Sequence, residues 1–304
     1  MSLLSTRLIF SFSDVVSVGT LSSSNLSSTS LITQQLSEDC TIVAIADTRI
    51  NIFDRSYNEE VFDEGYEETR FSCNGDDVSY QFGSQKLIQQ LDNGGNLIIN
   101  ETILLKNTGV IVEGHTITSL GTQSGSIGKK TTEKRPIEGD KPILVVRVTD
   151  ANGLAHRDNA ATIGDKIFGT LGDEVNLKSQ MSACSFGKLT IMNTYDAVDI
   201  SEHLAAPGVI EVGIPISIQS NDRYTIHNAV SAAVKAKLGF SLPGPFEQVM
   251  YVLEKCYVGC GWAAYAYVNS WMSVYQGGYY AQAGVQMHGE IVFCLSSIYH
   301  LGDQ

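Results

Sequence analysis

Runs of β-branched and alternating residues alone occupy the first half of this chain, whereas apolar runs of two different periods occupy the second. From Thr41 to Phe53 the run TIVAIADTRINIF is β-branched and partly alternating, which predicts a strand. Asn96–Leu105 and Val110–Ile117 are two further strand-like runs, separated by Asn107–Gly109. Ile143–Val148 is a continuous apolar strand broken only at Arg147, and Val209–Ile218 alternates as another. Asp158–Phe168 predicts a helix stopped at Gly169. Over Asn221–Leu238, Ile226, Ala229, Val230, Ala233, Val234 and Leu238 recur at helical spacing, with Gly239 as a natural cap. Val249–Leu253 reads as a buried strand and Ala263–Val274 as an aromatic strand region.

These elements predict an α+β chain with α/β-like order, a mixed sheet with helices preceded by a β-rich N-terminal region. The expected organisation is a Ser-rich leader over 1–39, a β-rich domain over 40–120, a linker over 121–140 and a second domain over 141–304. The linker is rich in Gly, Ser, Thr and Lys and holds the dibasic pairs Lys129–Lys130 and Lys134–Arg135, which suit a processing site if exposed.

Charge changes the picture by exclusion. The 304 residues carry a formal net charge of -13, and 19 of the 33 acidic residues fall within 1–140. Nucleic acid and anionic membranes need clustered Lys and Arg, so neither is an expected partner. The densest acidic stretch, Glu59 to Glu68, lacks the spacing of a calcium loop and reads as a solvated face. Cys256–Gly289 contains no Asp, Glu, Lys or Arg, but its Asn, Gln, Ser and Gly residues and its five tyrosines from Tyr265 to Tyr280 fit buried strands or a cleft wall rather than lipid. No membrane span is therefore expected. The six cysteines suggest an oxidised, extracytosolic chain, with Cys184 expected to pair with Cys256 or Cys260.

Candidate chemistry is sparse. There is no P-loop, GxGxxG or Gly-x-Ser-x-Gly elbow, which argues against nucleotide-dependent enzymes and α/β-hydrolases. His115, His156 and His203 stand in polar, loop-like settings, and His227 lies on the helix described above. His288 follows an uncharged aromatic tract, with Glu290 two residues later. A zinc peptidase helix needs His-Glu-x-x-His, because residues at i and i+4 share a helix face and the Glu between them serves as base. Here Gly289 and Val292 stand at those places.

Five ordered segments nevertheless resemble the gametolysin family of metallopeptidases. They are SQMSACSFGKL over 179–189, APGVIEV over 206–212, SLPGPFEQVMYVLEKC over 241–256, GWAAYAYVNSWMSVYQGGYY over 261–280 and GVQMH over 284–288. The resemblance implies a metzincin-like twisted sheet with helices, an edge strand beside a substrate cleft, and a zinc helix. It implies a secreted proenzyme that cuts polypeptides, typically extracellular or cell-wall glycoproteins, with zinc as cofactor and the residues before the linker as leader and pro-region. His288 falls on the first zinc ligand, Gly289 on the general base, Val292 on the second ligand and Ile298 on the third. His300 would lie ~18 Å along a continuous helix from His288, too far to share one ion. The chain thus reads as a gametolysin-like domain that departs from its family at the zinc motif, as a frameshift or splice error would produce, and that is inactive as written. The alternative is a non-catalytic secreted module in which the tyrosine-rich tract binds polypeptide or glycan.

Overall fold

The computed structural model describes residues 33–49, 70–92, 97–121, 127–129, 138–256, 262–267 and 270–281. The first strands are β1 (Thr33–Gln35), β2 (Cys40–Arg49), β3 (Arg70–Asn74) and β4 (Ser79–Phe82), followed by the short helix α1 (Gln85–Leu91). Then come β5 (Thr102–Leu104), β6 (Ile111–Glu113), β7 (Thr116–Ser119) and β8 (Ile127–Lys129). These small strands pair mostly antiparallel, in the order β1-β6-β7-β4-β3-β2, with β5 on β2 and β8 on β5. The N-terminal region is β-rich, as its pattern predicts. The single run expected over Val110–Ile117 is instead a hairpin, because Gly114 takes φ 59 and turns the chain back. Residues 33–39 form part of this fold. β1 pairs with β6, and Leu36 is buried with Ile42, Leu104, Val112 and Ile117. Side chains of α1 (Leu87, Ile88 and Leu91) close this cluster.

Cys40 and Cys73 form a disulfide between β2 and β3 within the same cluster. Closing a loop of sequence separation 33 stabilises the fold by about 3–4 kcal/mol. Cys256 is also disulfide-bonded, whereas Cys184 is free and half-buried. The expected pairing of Cys184 with Cys256 or Cys260 is therefore wrong. Cys184 ends a helix that packs on one face of the sheet, among buried apolar side chains, where a thiol serves as a small hydrophobe.

The second half is built around β9 (Gly139–Thr149). After it come α2 (Ala160–Phe168), α3 (Leu177–Cys184), β10 (Leu189–Met192), β11 (Leu204–Ala206), β12 (Val209–Gly213), α4 (Arg223–Leu238), β13 (Gln248–Leu253), β14 (Trp262–Tyr267) and β15 (Met272–Gln276). β9 lies parallel to β10 along its first residues, to β12 on one side and to β13 on the other. β15 is parallel to β13, and β14 runs antiparallel to β15. The predicted mixed sheet is present, and β14 joins it to β2, so the sheet runs continuously from the first half of the chain into the second.

Helices cover both faces of the central strands. Leu144, Val146 and Val148 of β9 pack with Val249, Tyr251 and Leu253 of β13 against Ile226, Val230 and Val234 of α4. Ile143 and Val145, on the opposite face, pack with Met250 and Val252 against Ile163 and Ile167 of α2 and Leu177 and Met181 of α3. A strand buried on both faces has no polar alternation, which is why 143–148 reads as one apolar run. Each buried aliphatic side chain here contributes about 1.5–3 kcal/mol.

Local chemistry sets the helix ends. The Asp222 side chain accepts from the Tyr224 and Thr225 amides to start α4, and Gly239 ends it at φ 82. Asn159 caps α2, and Asn176 with Ser179 forms a capping box on α3. The turn between β11 and β12 requires Gly208. Its φ is 77, and a Cβ there would come within 2.5 Å of the Phe168 ring. β12 stops at Gly213 rather than continuing to Ile218, because Pro215 has no N–H to pair. The tract expected to be one aromatic strand is the antiparallel β14/β15 pair, with Tyr265 opposite Val274.

Candidate functional site

The parallel strands β9, β12, β13 and β15 end on a common edge of the sheet, where the connecting loops gather. Asp150, immediately after β9, organises these loops. Its Oδ1 accepts from the amides of Asn152 (2.8 Å) and Leu154 (2.9 Å), and its Oδ2 accepts from the amide of Ile218 (3.1 Å). Glu254, after β13, accepts from the amides of Lys255 (2.8 Å) and Arg157 (3.2 Å). Gln276, the last residue of β15, accepts from the Cys256 amide at 3.0 Å.

A second set of charged residues braces the same edge. Arg147 projects from β9 and donates to the carbonyls of His156 (2.7 Å) and Asp158 (2.9 Å) and to Glu211 of β12 (2.8 Å). His156 is buried, and its Nδ1 accepts from the Asp158 amide at 3.0 Å. Burial pushes its pKa down against the pull of Asp158, so the neutral ring carries its proton on Nε2. Burial would raise the Asp158 pKa. Hydrogen bonds from Lys166 Nζ (2.8 Å) and the Tyr280 hydroxyl (2.6 Å) outweigh this and hold it below the usual carboxylate range. The Tyr280 ring stands edge-on to His156, with ring centroids 5.1 Å apart. Arg147 thus fixes the loop after β9, and Asp158 fixes the turn of 3₁₀-helix over Gly277–Ala281 that precedes residues 282–288 in the chain.

His227 of α4 is also buried. Its Nδ1 lies 3.0 Å from the Tyr265 hydroxyl and its Nε2 3.5 Å from that of Tyr267. Burial pushes its pKa down to about 3, assisted by the neighbouring His115 and Arg223 and opposed by Asp222. Arg223 stacks over Tyr265 at 4.9 Å and Trp262 at 5.9 Å. His115 contacts the Asn228 side chain at 3.1 Å, and His203 lies 3.5 Å from Glu202. Of the loop-like histidines, His156 is buried at the sheet edge.

Among the described residues, no group of three or more His, Cys, Asp or Glu side chains converges as a metal site needs. The four described histidines are dispersed, and His156 and His227 spend ring nitrogens on internal contacts. The described residues do not fit a catalytic zinc. His288, with Gly289, Glu290, Val292, Ile298 and His300, lies outside the described residues. So does the acidic stretch from Glu59 to Glu68.

Tyr265, Tyr267, Tyr275, Tyr279 and Tyr280 are all buried. They build the sheet and do not form an exposed aromatic platform, which removes the main support for a glycan-binding surface. Among the described residues, no helix is long and apolar enough to cross a membrane.

Comparison with protein families assigns a class to the second half of the chain, that of the metallopeptidases. The matching family model is described as gametolysin peptidase M11, and over residues 145–293 the chain is similar to this family. No curated protein and no solved structure matches the chain. The matched segment contains the second half of β9, β10 to β15, α2 to α4 and His288, and none of β1 to β8.

The Arg147–His156–Asp158–Lys166–Tyr280 brace escaped sequence reasoning. One signal was available: a guanidinium inside an otherwise apolar strand needs hydrogen-bond partners, and Arg147 has three.

Proposed function

We propose that this chain is a secreted relative of zinc endopeptidases that act on extracellular or cell-wall glycoproteins, and that it lacks hydrolytic activity as written. The observation that supports the reading is the family segment itself, which extends across His288, Gly289 and Val292. One imidazole does not hold zinc against water, and Gly289 offers no base. The disulfides at Cys40–Cys73 and at Cys256 support an oxidising compartment.

Zinc stoichiometry tests this directly. Dialysis against micromolar zinc leaves the natural chain without a bound ion, whereas a Gly289→Glu/Val292→His/Ile298→His variant retains about one ion per chain, as three ligands require. The variant then cleaves an unfolded polypeptide in a chelator-sensitive manner. Chelator-sensitive cleavage by the unaltered chain would overturn the inactive assignment.

A further inference from the structure

Helix α4 straddles two unlike surfaces. One flank packs Ile226, Val230 and Val234 onto the apolar strands β9 and β13. The other lies against the N-terminal strands, and there the fastening is polar. The Asn228 side chain accepts from the Ser79 amide at 2.9 Å and donates to the Ser79 carbonyl at 3.1 Å. That pattern fixes which end of the amide is NH₂, so its 3.1 Å contact with His115 Nδ1 is an N–H meeting an accepting ring nitrogen. Lys235 holds Asp77 at 2.7 Å through a half-exposed ion pair.

His227 is the buried centre of this flank. Tyr265 and Tyr267 stand two residues apart on β14, hence on one face, and bring their hydroxyls to the two ring nitrogens. The Tyr267 hydroxyl also bonds the side chains of Ser72 on β3 and Ser79 on β4, so one chain of polar contacts runs from α4 through β14 into the N-terminal region. In either tautomer the neutral ring accepts at one nitrogen, whereas a protonated ring donates at both. Tyr224 packs edge-on against it and supplies no counter-charge. Arg223 and a protonated His115 repel a second cation, and the Asp222 carboxylate is already engaged by the Tyr224 and Thr225 amides. Burial, then His115 and Arg223, hold the pKa of the enclosed ring down to about 3. A ring that meets water returns to ~6.5. The enclosed form therefore loses about tenfold per pH unit to any form that hydrates the ring as pH falls from 6.5 toward 3, and loses nothing above 6.5.

Water reaches this ring at least cost from the N-terminal side. Lifting α4 off β9 and β13 exposes its whole apolar flank, whereas parting it from Ser72, Ser79 and His115 exposes groups that water hydrates readily. We propose that the contact of α4 with β3, β4 and the β6–β7 turn is a proton-operated latch: neutral His227 keeps the N-terminal strands closed on α4, and a proton on that ring releases them while β9, β12 and β13 stay folded. The latch makes no use of the function proposed above and stands whether or not the chain hydrolyses polypeptide.

Hydrogen exchange of the full chain at pH 7.5 and pH 4.5, in urea below the unfolding transition, tests it. Amides of 70–82 lose about 100-fold in protection across that pH range and respond little to urea, the mark of a local opening. Amides of β9 and β13 keep at least about tenfold more protection at pH 4.5 and lose it steeply with urea. His227→Gln retains an uncharged donor and acceptor, and in that variant the protection of 70–82 changes by less than about twofold over the same range. Should it fail to fold, Asn228→Ala cuts the Ser79 ties and leaves the ring in place. Protection over 70–82 then drops by one factor at both pH values, and the pH slope stays. Exchange of 70–82 with the protection and urea dependence of β9 and β13 would overturn the proposal, because the chain would then open as one unit. A pH slope that survives His227→Gln, or that vanishes with Asn228→Ala, overturns it equally by placing the sensor elsewhere.

Discussion

Replacing Asp150 by alanine destabilises the fold by about 3–5 kcal/mol, since three amides lose a charged acceptor. The side chain is buried, so water does not substitute for the lost carboxylate. Its Oδ1 closes the turn through Asn152 and Leu154, and its Oδ2 ties that turn to Ile218, after β12. Asparagine separates the two roles. Its carbonyl oxygen replaces Oδ1, while its NH₂ faces the Ile218 amide donor to donor. Asp150→Asn therefore loses less than Asp150→Ala, and the lost part is the tie to Ile218. Chemical denaturation of the two variants at neutral pH measures both values, and equal losses would contradict this division of labour.

Acid destabilises the chain well before its carboxylates protonate. The folded His227 pKa, about 3, lies below the unfolded value of ~6.5, so the unfolded state binds more protons throughout that interval. The stability linked to this histidine is complete above pH 6.5 and is lost as pH falls toward 3. Between pH 6.5 and 4.5 the loss is about 2–3 kcal/mol. The groups facing the ring explain the sign. Tyr265 and Tyr267 of β14 and Tyr224 of α4 enclose it, Arg223 and His115 repel a second cation, and Asp222 only partly compensates. His156, also pushed down by burial, adds in the same direction. Asp77, Asp158 and Asp222, held below their usual range, add their losses only as pH falls through about 4. Urea midpoints from pH 7.5 to 4.5 follow this slope, and His227→Phe removes most of it while leaving the share of His156. An unchanged slope in that variant would place the acid sensitivity elsewhere.

Elements whose pattern is set by burial on the large sheet were legible from sequence. α4 lies within the expected 221–238, with the expected Gly239 cap, and β13 matches 249–253 almost residue for residue. The gametolysin resemblance read from five segments agrees with the family match over 145–293. Short elements in the first half were not legible. α1 has seven residues and buries only Leu87, Ile88 and Leu91, while β3 and β4 are held by long-range pairing and the bond to Cys40 rather than by local periodicity. The brace around Asp158 joins residues up to 133 apart in the chain, Arg147 to Tyr280, which no local spacing encodes. The predicted Cys184 pairing failed for a similar reason: compatible numbers of cysteines do not specify which are neighbours.

The Cys40–Cys73 bond has one further consequence, in electrophoresis. Any single peptide bond broken between these two residues leaves two pieces that still migrate as one species until a reductant is added. A chain already cut there would look intact on a non-reducing gel, and only the reduced lane would reveal its history.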